Sequence, residues 1–301
     1  VSQSLLNLPT GLHPNVSEKD YHADLVCGVP TLSCSLAKVL IGKSPLHGWH
    51  AHPRLGAKGE DHDSTPEQEL GSASHKLNLG KGADIDILDA DDWRKGDAKE
   101  FRKAARVAGR IPVLKKHMDN LELQRASLRG QLDERGMLEM FDAALPELVC
   151  IYDDGPVRCR AMFDKIYIDE ANKRAVIFDL KNCDSANPGG LGKLVFNQHY
   201  DMQERSYVRG LECVRPDLVG RIELRFLFIE TEAPFCLTVA ELDGESRTLG
   251  SSKWARAWQM WHECLRADRW PAYGNKLVRV EPPTYALASE IGANPILPSS
   301  V

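Results

Sequence analysis

Between Arg158 and Lys181 the chain carries two carboxylates and an amine at usable spacings. RCRAMFDKIYID and RAVIFDLKN are rich in β-branched and aromatic residues, and Glu170-Ala-Asn172-Lys173 supplies a turn between them. They read as an antiparallel hairpin. Side chains alternate along a strand, so Asp164 is expected on a face with Met162, Ile166 and Ile168, and Asp179 with Ala175, Ile177 and Lys181. A loop over Glu170–Lys173 pairs Asp169 with Arg174 and Ile168 with Ala175. Continued, that register sets Asp164 opposite Asp179 with Cβ atoms roughly 5 Å apart. Two such carboxylates on an apolar face resist desolvation and repel each other. A divalent cation removes both costs, and oxygen ligands suit Mg²⁺ or Mn²⁺. Lys181 beside the metal could orient or help deprotonate a water for attack on phosphorus. The bland alternative is a solvent-facing hairpin, because an isolated D…D-x-K spacing is degenerate.

Two further stretches bear on that choice. HYDMQERSYVRGL puts Tyr200, Gln203 and Tyr207 on one helical stripe, an arrangement suited to phosphates, to bases or to bracing a metal ligand. Leu70-Gly-Ser-Ala-Ser-His75 sets an imidazole among small residues, with Gly71 one turn away to admit a neighbour. A lone helical histidine is more often structural. The HGWHAH run (His47, His50, His52) has no Cys or acid partner at zinc spacing.

Elements that could position these groups follow from composition. Residues 1–65 are rich in Gly, Pro and His, with a helical piece near Cys34–Ile41. Ser64-Thr65-Pro66-Glu67 is a helix start, and Gly80 and Gly82 end that helix near Leu79. Residues 91–108 and 113–143 have helical composition, broken at Gly109–Pro112. From Glu147 the texture turns to strand: LVCIYDD, then the hairpin. A helix is expected at about Lys193–Leu211, strands at Arg221–Glu230 and Phe235–Leu242, and a helix at Ser251–Arg269. The last carries a core stripe of Trp254, Trp258, Trp261 and Leu265. The expected class is α/β or α+β, a small mixed sheet flanked by helices. The divisions expected are a loop-rich arm at 1–65 packed on the core, a main domain at 66–275 and an irregular tail at 276–301.

The 301 residues hold 38 Lys and Arg against 43 Asp and Glu, a net charge of −5, which speaks against a bulk electrostatic nucleic-acid binder. Residues 92–135 are locally basic, twelve cations against seven acids, which suits either a solvated helical face or a polyanion surface. The eight cysteines are scattered without a C-x-x-C pair, against a zinc ribbon or iron–sulfur cluster. No apolar run approaches a membrane span, and VSQSLLNLPTGLHPN lacks the pattern of a secretory leader. Reduced thiols and a cytoplasmic location, with no membrane partner, are the expectation.

Taken in order, these pieces resemble the RecE-type (exonuclease VIII-like) branch of the PD-(D/E)XK nuclease superfamily, which also holds lambda exonuclease and RecB-like nucleases. The matching residues are Tyr21-His22, Leu32-Ser-Cys-Ser35, Ser44-Pro-Leu-His47, Gly71-Ser-Ala-Ser-His75, Arg158-x-Arg160-x-x-x-Asp164, Asp179-Leu180-Lys181 with Ala186, Tyr200-x-x-Gln203-x-x-x-Tyr207 and Trp270-Pro-Ala-Tyr273. They span about residues 20–275. Each is weak alone; the ordered set is specific. The resemblance implies a restriction-endonuclease-like core and a Mg²⁺ site, with Mn²⁺ able to substitute. His75, Asp164, Asp179 and the Leu180 carbonyl would hold the metal, and Lys181 would position the attacking water. Gln203 and Tyr207 would contact the DNA end or steady the site, beside Tyr200. Arg158 and Arg160 are candidate phosphate contacts, and Glu147 a further acid. Asn182 stands where the family often has Thr, a change expected to matter little. The implied activity is 5′→3′ exonucleolysis of double-stranded DNA ends in phage-type homologous recombination. A homo-oligomeric ring and a single-strand annealing protein as partner go with it. Competing readings are an endonuclease or structure-specific repair nuclease, a catalytically idle DNA-binding module and a small-molecule phosphoesterase.

Overall fold

The computed structural model describes residues 5–56 and 64–283. In chain order its first elements are β1 (Gly11–His13), α1 (Glu18–His22), β2 (Leu32–Ser33), α2 (Cys34–Gly42), α3 (Pro45–Ala51) and α4 (Pro66–Leu79). Then come β3 (Ile85–Leu88), α5 (Gly96–Val107), β4 (Ile111–Leu114), α6 (Lys115–Glu134) and α7 (Leu138–Ala143). The main strands and their helices follow: β5 (Leu145–Asp154), β6 (Val157–Asp169), β7 (Arg174–Cys183), α8 (Pro188–Asn197), α9 (Tyr200–Val214), β8 (Ile222–Glu230), β9 (Leu237–Ala240) and α10 (Gly244–Ala267). The class is mixed α/β, a mostly antiparallel sheet between helices. Among the described residues no helix is long and apolar enough to cross a membrane.

The seven-stranded sheet runs β1-β5-β6-β7-β8-β9, and β2 joins β6 off that path. Strands β5, β6 and β7 form an antiparallel meander, and α8 and α9 then carry the chain back so that β8 lies parallel to β7. Strand β6 is long, and β5 lines one of its edges from Val157 to Ile166. Its other edge is shared: β7 takes Lys165–Asp169 and β2 takes Cys159–Arg160. Between those partners, at residues 161–164, the edge is open. A crevice forms there for the reason crevices form at strand-order switches, since two neighbours leave one strand in different directions.

The hairpin has the register expected, with Asp169 opposite Arg174 and Ile168 opposite Ala175. The ladder ends at Lys165 and Phe178, one residue short of the two aspartates. The face expected for Asp164 needs correction. Met162 packs with Val149 and Ile151 on one side, whereas Ile166 and Ile168 pack with Ile177 on the other. Alternation reverses at Asp164 because Glu147, across from it, takes φ 46°. That left-handed conformation costs an L residue about 1–2 kcal/mol. The ladder skips this pair, joining Pro146 to Lys165 and Leu148 to Phe163.

Both faces of the sheet are covered. Leu36, Met202, Trp254 and Trp261 from α2, α9 and α10 pack on Ile177, Phe226 and Phe228. Leu128, Leu132 and Phe141 from α6 and α7 pack on Val176, Phe178 and Leu180. Asp179 and Lys181, alternating with these last, therefore look toward α2 and α9. Helix α9 is seated closely: a Cβ on Gly250 of α10 would come within 2.1 Å of the Asp201 carbonyl oxygen.

Several expectations shift. The helix expected at Lys193–Leu211 is two helices, broken where His199 takes φ 53°. Ile111–Leu114, expected partly helical, is a strand paired in parallel with β3. Leu265 is 37% exposed, and Cys264 takes its place in the apolar stripe of α10. The local basic excess is largely paired: Arg102 and Arg106 bind Glu69, Arg110 binds Asp86 and Arg129 binds Asp142. A compact unit ends at Pro271 and a second begins at Ala272. Residues 276–283 carry neither helix nor strand, and Pro295 and Pro298 of the expected tail lie outside the described residues.

Candidate active site

The open edge of β6, the end of β7 and helices α2, α4 and α9 enclose a cleft of about 830 Å³. Each wall delivers a polar side chain for a local reason. Helix α4 brings His75, and its start is set by a capping box, Thr65 with Gln68, and its end by Gly80 at φ 78°. Strand β6 brings Asp164 and β7 brings Asp179 and Lys181. Helix α9 begins at Tyr200, so Tyr200, Gln203 and Tyr207 all line the cleft.

The two carboxylates have different surroundings. Asp164 Oδ2 accepts the Leu180 N–H at 2.8 Å, replacing the backbone partner lost where the strands separate. His75 Nδ1 lies 4.0 Å from the same oxygen. Asp179 is fully buried. Its Oδ1 accepts from Gln203 Nε2 at 2.7 Å, and its Oδ2 meets the Lys181 ammonium. Burial raises the Asp179 pKa, opposed by Lys181 and reinforced by Asp164. Burial alone would lower the Lys181 pKa, but Asp179 and Asp164 hold it above the usual lysine value, so Lys181 is an ammonium ion. Burial also raises the Tyr207 pKa, keeping that phenol a neutral donor, and its ring packs edge-on against Phe163 at 5.3 Å.

Among the described residues no three His, Cys, Asp or Glu side chains converge as a finished metal cage. Asp179 is neutralised by Lys181 instead. The donor set nonetheless fits a hard divalent cation. His75 and Asp164 border the cleft, and Asp179 lies buried behind Lys181 and Gln203 with its Oδ2 lacking a hydrogen-bond partner, its compensation being the charge of Lys181.

The expected site residues separate into two groups. His75, Asp164, Lys181, Tyr200, Gln203 and Tyr207 line one cleft, with Asp179 directly behind Lys181 and Gln203. Arg158 and Arg160 do not reach it. Arg158 binds Asp153 at 2.7 Å and the Leu8 carbonyl. Arg160 is buried against Asp24 and Thr31 with its guanidinium over the Tyr21 ring, where it pins the N-terminal segment to β6. Both are committed to folding contacts. The histidine run scatters likewise: His52 is buried 3.1 Å from Asp24, and His47 binds Ser44.

Other residues at the site were not singled out by sequence. Lys38 is the lone ion of α2, a charge in an apolar helix that could have drawn notice. It lies 3.4 Å from Gln203 Oε1. Glu18 and Lys81 line the cleft beside Glu147, and so does His22, matched in the Tyr21-His22 pair. Asn182 has a structural part: with Ser74 and Gln124 it forms a polar knot of contacts at 3.0–3.2 Å. Ser74 precedes His75 and Asn182 follows Lys181, so the knot ties the His75 helix to the lysine strand.

The fold likeness extends over nearly the whole chain. The crystal structure of a candidate exonuclease from Eubacterium rectale matches 91% of this chain and 98% of its own, with a TM-score of 0.57 and 13% identity. At that identity the likeness is one of fold. A second solved structure, SSO0001, covers 67% of this chain and 88% of its own at 13% identity, and its TM-score of 0.26 carries no argument. No protein-family model matches the chain, and no curated protein matches it significantly.

Proposed function

We propose that this chain is a Mg²⁺-dependent deoxyribonuclease of the RecE type, degrading double-stranded DNA from its ends in the 5′→3′ direction. One observation carries the reading: Asp164, Asp179 and Lys181 meet at one end of the cleft, with His75 at 4.0 Å from Asp164. The fold shared with a candidate exonuclease supports it.

His75, Asp164, Asp179 and the Leu180 carbonyl would hold the metal. Mg²⁺, or Mn²⁺ in its place, would neutralise the carboxylates and draw charge from the phosphoryl oxygens. Lys181, released from Asp179, donates to the attacking water and fixes its approach to phosphorus. The water oxygen bonds to phosphorus as its proton passes to solvent, the P–O3′ bond breaks, and the departing oxygen takes a proton from solvent. Tyr207 and Tyr200 offer a phenol and a ring to the strand end, and Gln203 keeps Asp179 in place. A ring-shaped homo-oligomer would concentrate cations that a chain of net charge −5 cannot otherwise offer DNA. A single-strand annealing protein would take the exposed 3′ strand.

The test is a time course on end-labelled linear duplex, with and without Mg²⁺, beside covalently closed circular duplex and a generic phosphodiester. Labelled mononucleotides should leave the 5′ ends of linear DNA in Mg²⁺ alone. Cutting of closed circles would make the chain an endonuclease. Tight DNA binding without hydrolysis would make it an idle module, and turnover of the generic ester without DNA preference a phosphoesterase.

A further inference from the structure

Helix α2 follows β2 directly and so overhangs the open edge of β6. Its single charge, Lys38, points across the crevice to Gln203 Oε1 at 3.4 Å. From the far end of the same amide, Nε2 donates to Asp179 Oδ1 at 2.7 Å. The Lys38 and Lys181 ammonium groups each lie 4.8 Å from the centroid of the Tyr200 ring. Two cations thus share one aromatic ring, and one amide joins the first cation to the carboxylate that binds the second.

A primary amide is nearly symmetric in shape, so its orientation is decided by its partners. Nitrogen toward Asp179 is attractive; oxygen there would repel the carboxylate. An ammonium donates only, so Lys38 donates to the oxygen end and repels the nitrogen end. The two preferences agree, and the amide is held from both sides.

We infer that Lys38 is a positioning residue: through Gln203 it fixes Oδ1 of Asp179 and leaves Oδ2, which faces Lys181, to the metal once that lysine is released. The inference rests on the proposed metal-dependent reading of the same site. It places the effect of Lys38 on metal affinity and turnover, not on DNA binding. Partners behind a metal ligand commonly alter affinity by about 10–100-fold when removed.

Full-length Lys38→Met, which keeps the buried stem, is to be compared with Lys38→Arg, Gln203→Leu and the double variant Lys38→Met/Gln203→Leu. Mn²⁺ binding is measured by titration calorimetry without DNA, and kcat and KM on linear duplex in Mg²⁺. Lys38→Met should weaken Mn²⁺ binding about tenfold and lower kcat with KM for DNA unchanged. Lys38→Arg should recover most of both. In the Gln203→Leu background Lys38→Met should add little, because the link is already cut. Unchanged Mn²⁺ affinity with a raised KM would overturn the inference in favour of a direct DNA contact, as would equal losses in both backgrounds. An Asp179→Asn control that binds Mn²⁺ like the wild type would instead remove the metal reading, and this inference with it.

Discussion

Glu147 faces Asp164 across β5 and β6 at the break in their ladder, where alternation reverses in both strands. The two acids thus stand where neither strand has a regular inward or outward side. A period-two pattern assigns each residue a face, and here the assignment fails at the residue on which the chemistry turns. Asp164 recovers a partner from the Leu180 N–H, and so the end of β7 is held against β6 by a side chain rather than by the ladder.

Glu147 leads to a pH prediction. Burial raises its pKa, and the nearby Glu18 carboxylate raises it further. A folded pKa above the unfolded one means that the folded state binds the proton more tightly. Stability contributed by this group is present below the ordinary glutamate range, falls as the pH rises through the raised value, and stays lost above it. Glu147→Gln, melted in EDTA, should therefore have a higher Tm than wild type near about pH 8, with the gap closing toward about pH 4. A wild type as stable as the variant at the higher pH would contradict this.

Lys181→Met and Asp164→Asn should each lower cleavage of linear duplex by about 100-fold or more, the scale of removing a group that stabilises developing charge. Their circular dichroism should remain that of a folded protein. Near-full Mg²⁺-dependent activity in Lys181→Met would refute the role given to that amine.

Arg160 separates folding from DNA contact. The Arg160–Asp24 pair is buried, with side chains 5% and 0% exposed. Arg160→Met removes one cation from Asp24, which keeps His52, Arg54 and Thr31, so the cost should fall below that of a fully stranded buried charge, about 3–5 kcal/mol. Urea unfolding should show a correspondingly lower midpoint, and Asp24→Asn in the same chain should restore part of it. A normal midpoint with a raised KM for DNA would return Arg160 to the substrate.

Gln124 tests the link between His75 and Lys181. Its amide donates to Asn182 and to the Glu230 carbonyl, while its oxygen accepts from Ser74. Gln124→Leu takes a donor from the Glu230 carbonyl and one contact each from Ser74 and Asn182, which keep each other, at about 1–3 kcal/mol. The variant should melt earlier and bind Mn²⁺ more weakly, since α4 is then tied to β7 through this knot by the Ser74–Asn182 contact alone. Weaker melting with unchanged Mn²⁺ affinity would make the knot purely structural.

Local signals are read reliably where a few adjacent residues decide the outcome. The Thr65 cap, the Gly80 stop and the Glu170–Lys173 loop act over single turns, and each stands where the residues place it. The hairpin register followed from loop length, and with it the neighbourhood of Asp164, Asp179 and Lys181. The stripe of Tyr200, Gln203 and Tyr207 followed from helical period, although the break at His199 did not, for Asn197-Gln198-His199 contains neither Gly nor Pro.

What sequence determined by itself, then, was which side chains lie near one another along a strand or a helix. Tertiary structure decided their partners. Arg160 and Asp164 lie four residues apart on β6, yet one is sealed under the N-terminal segment and the other opens on the cleft. Lys38 and Gln203 are 165 residues apart and meet only because β2 and β7 divide the edge of one strand. Spacing along a chain carries the periodicity of its own element. The desolvation and pairing of a charge depend on whatever another element brings against it, and that is known only once the elements have packed.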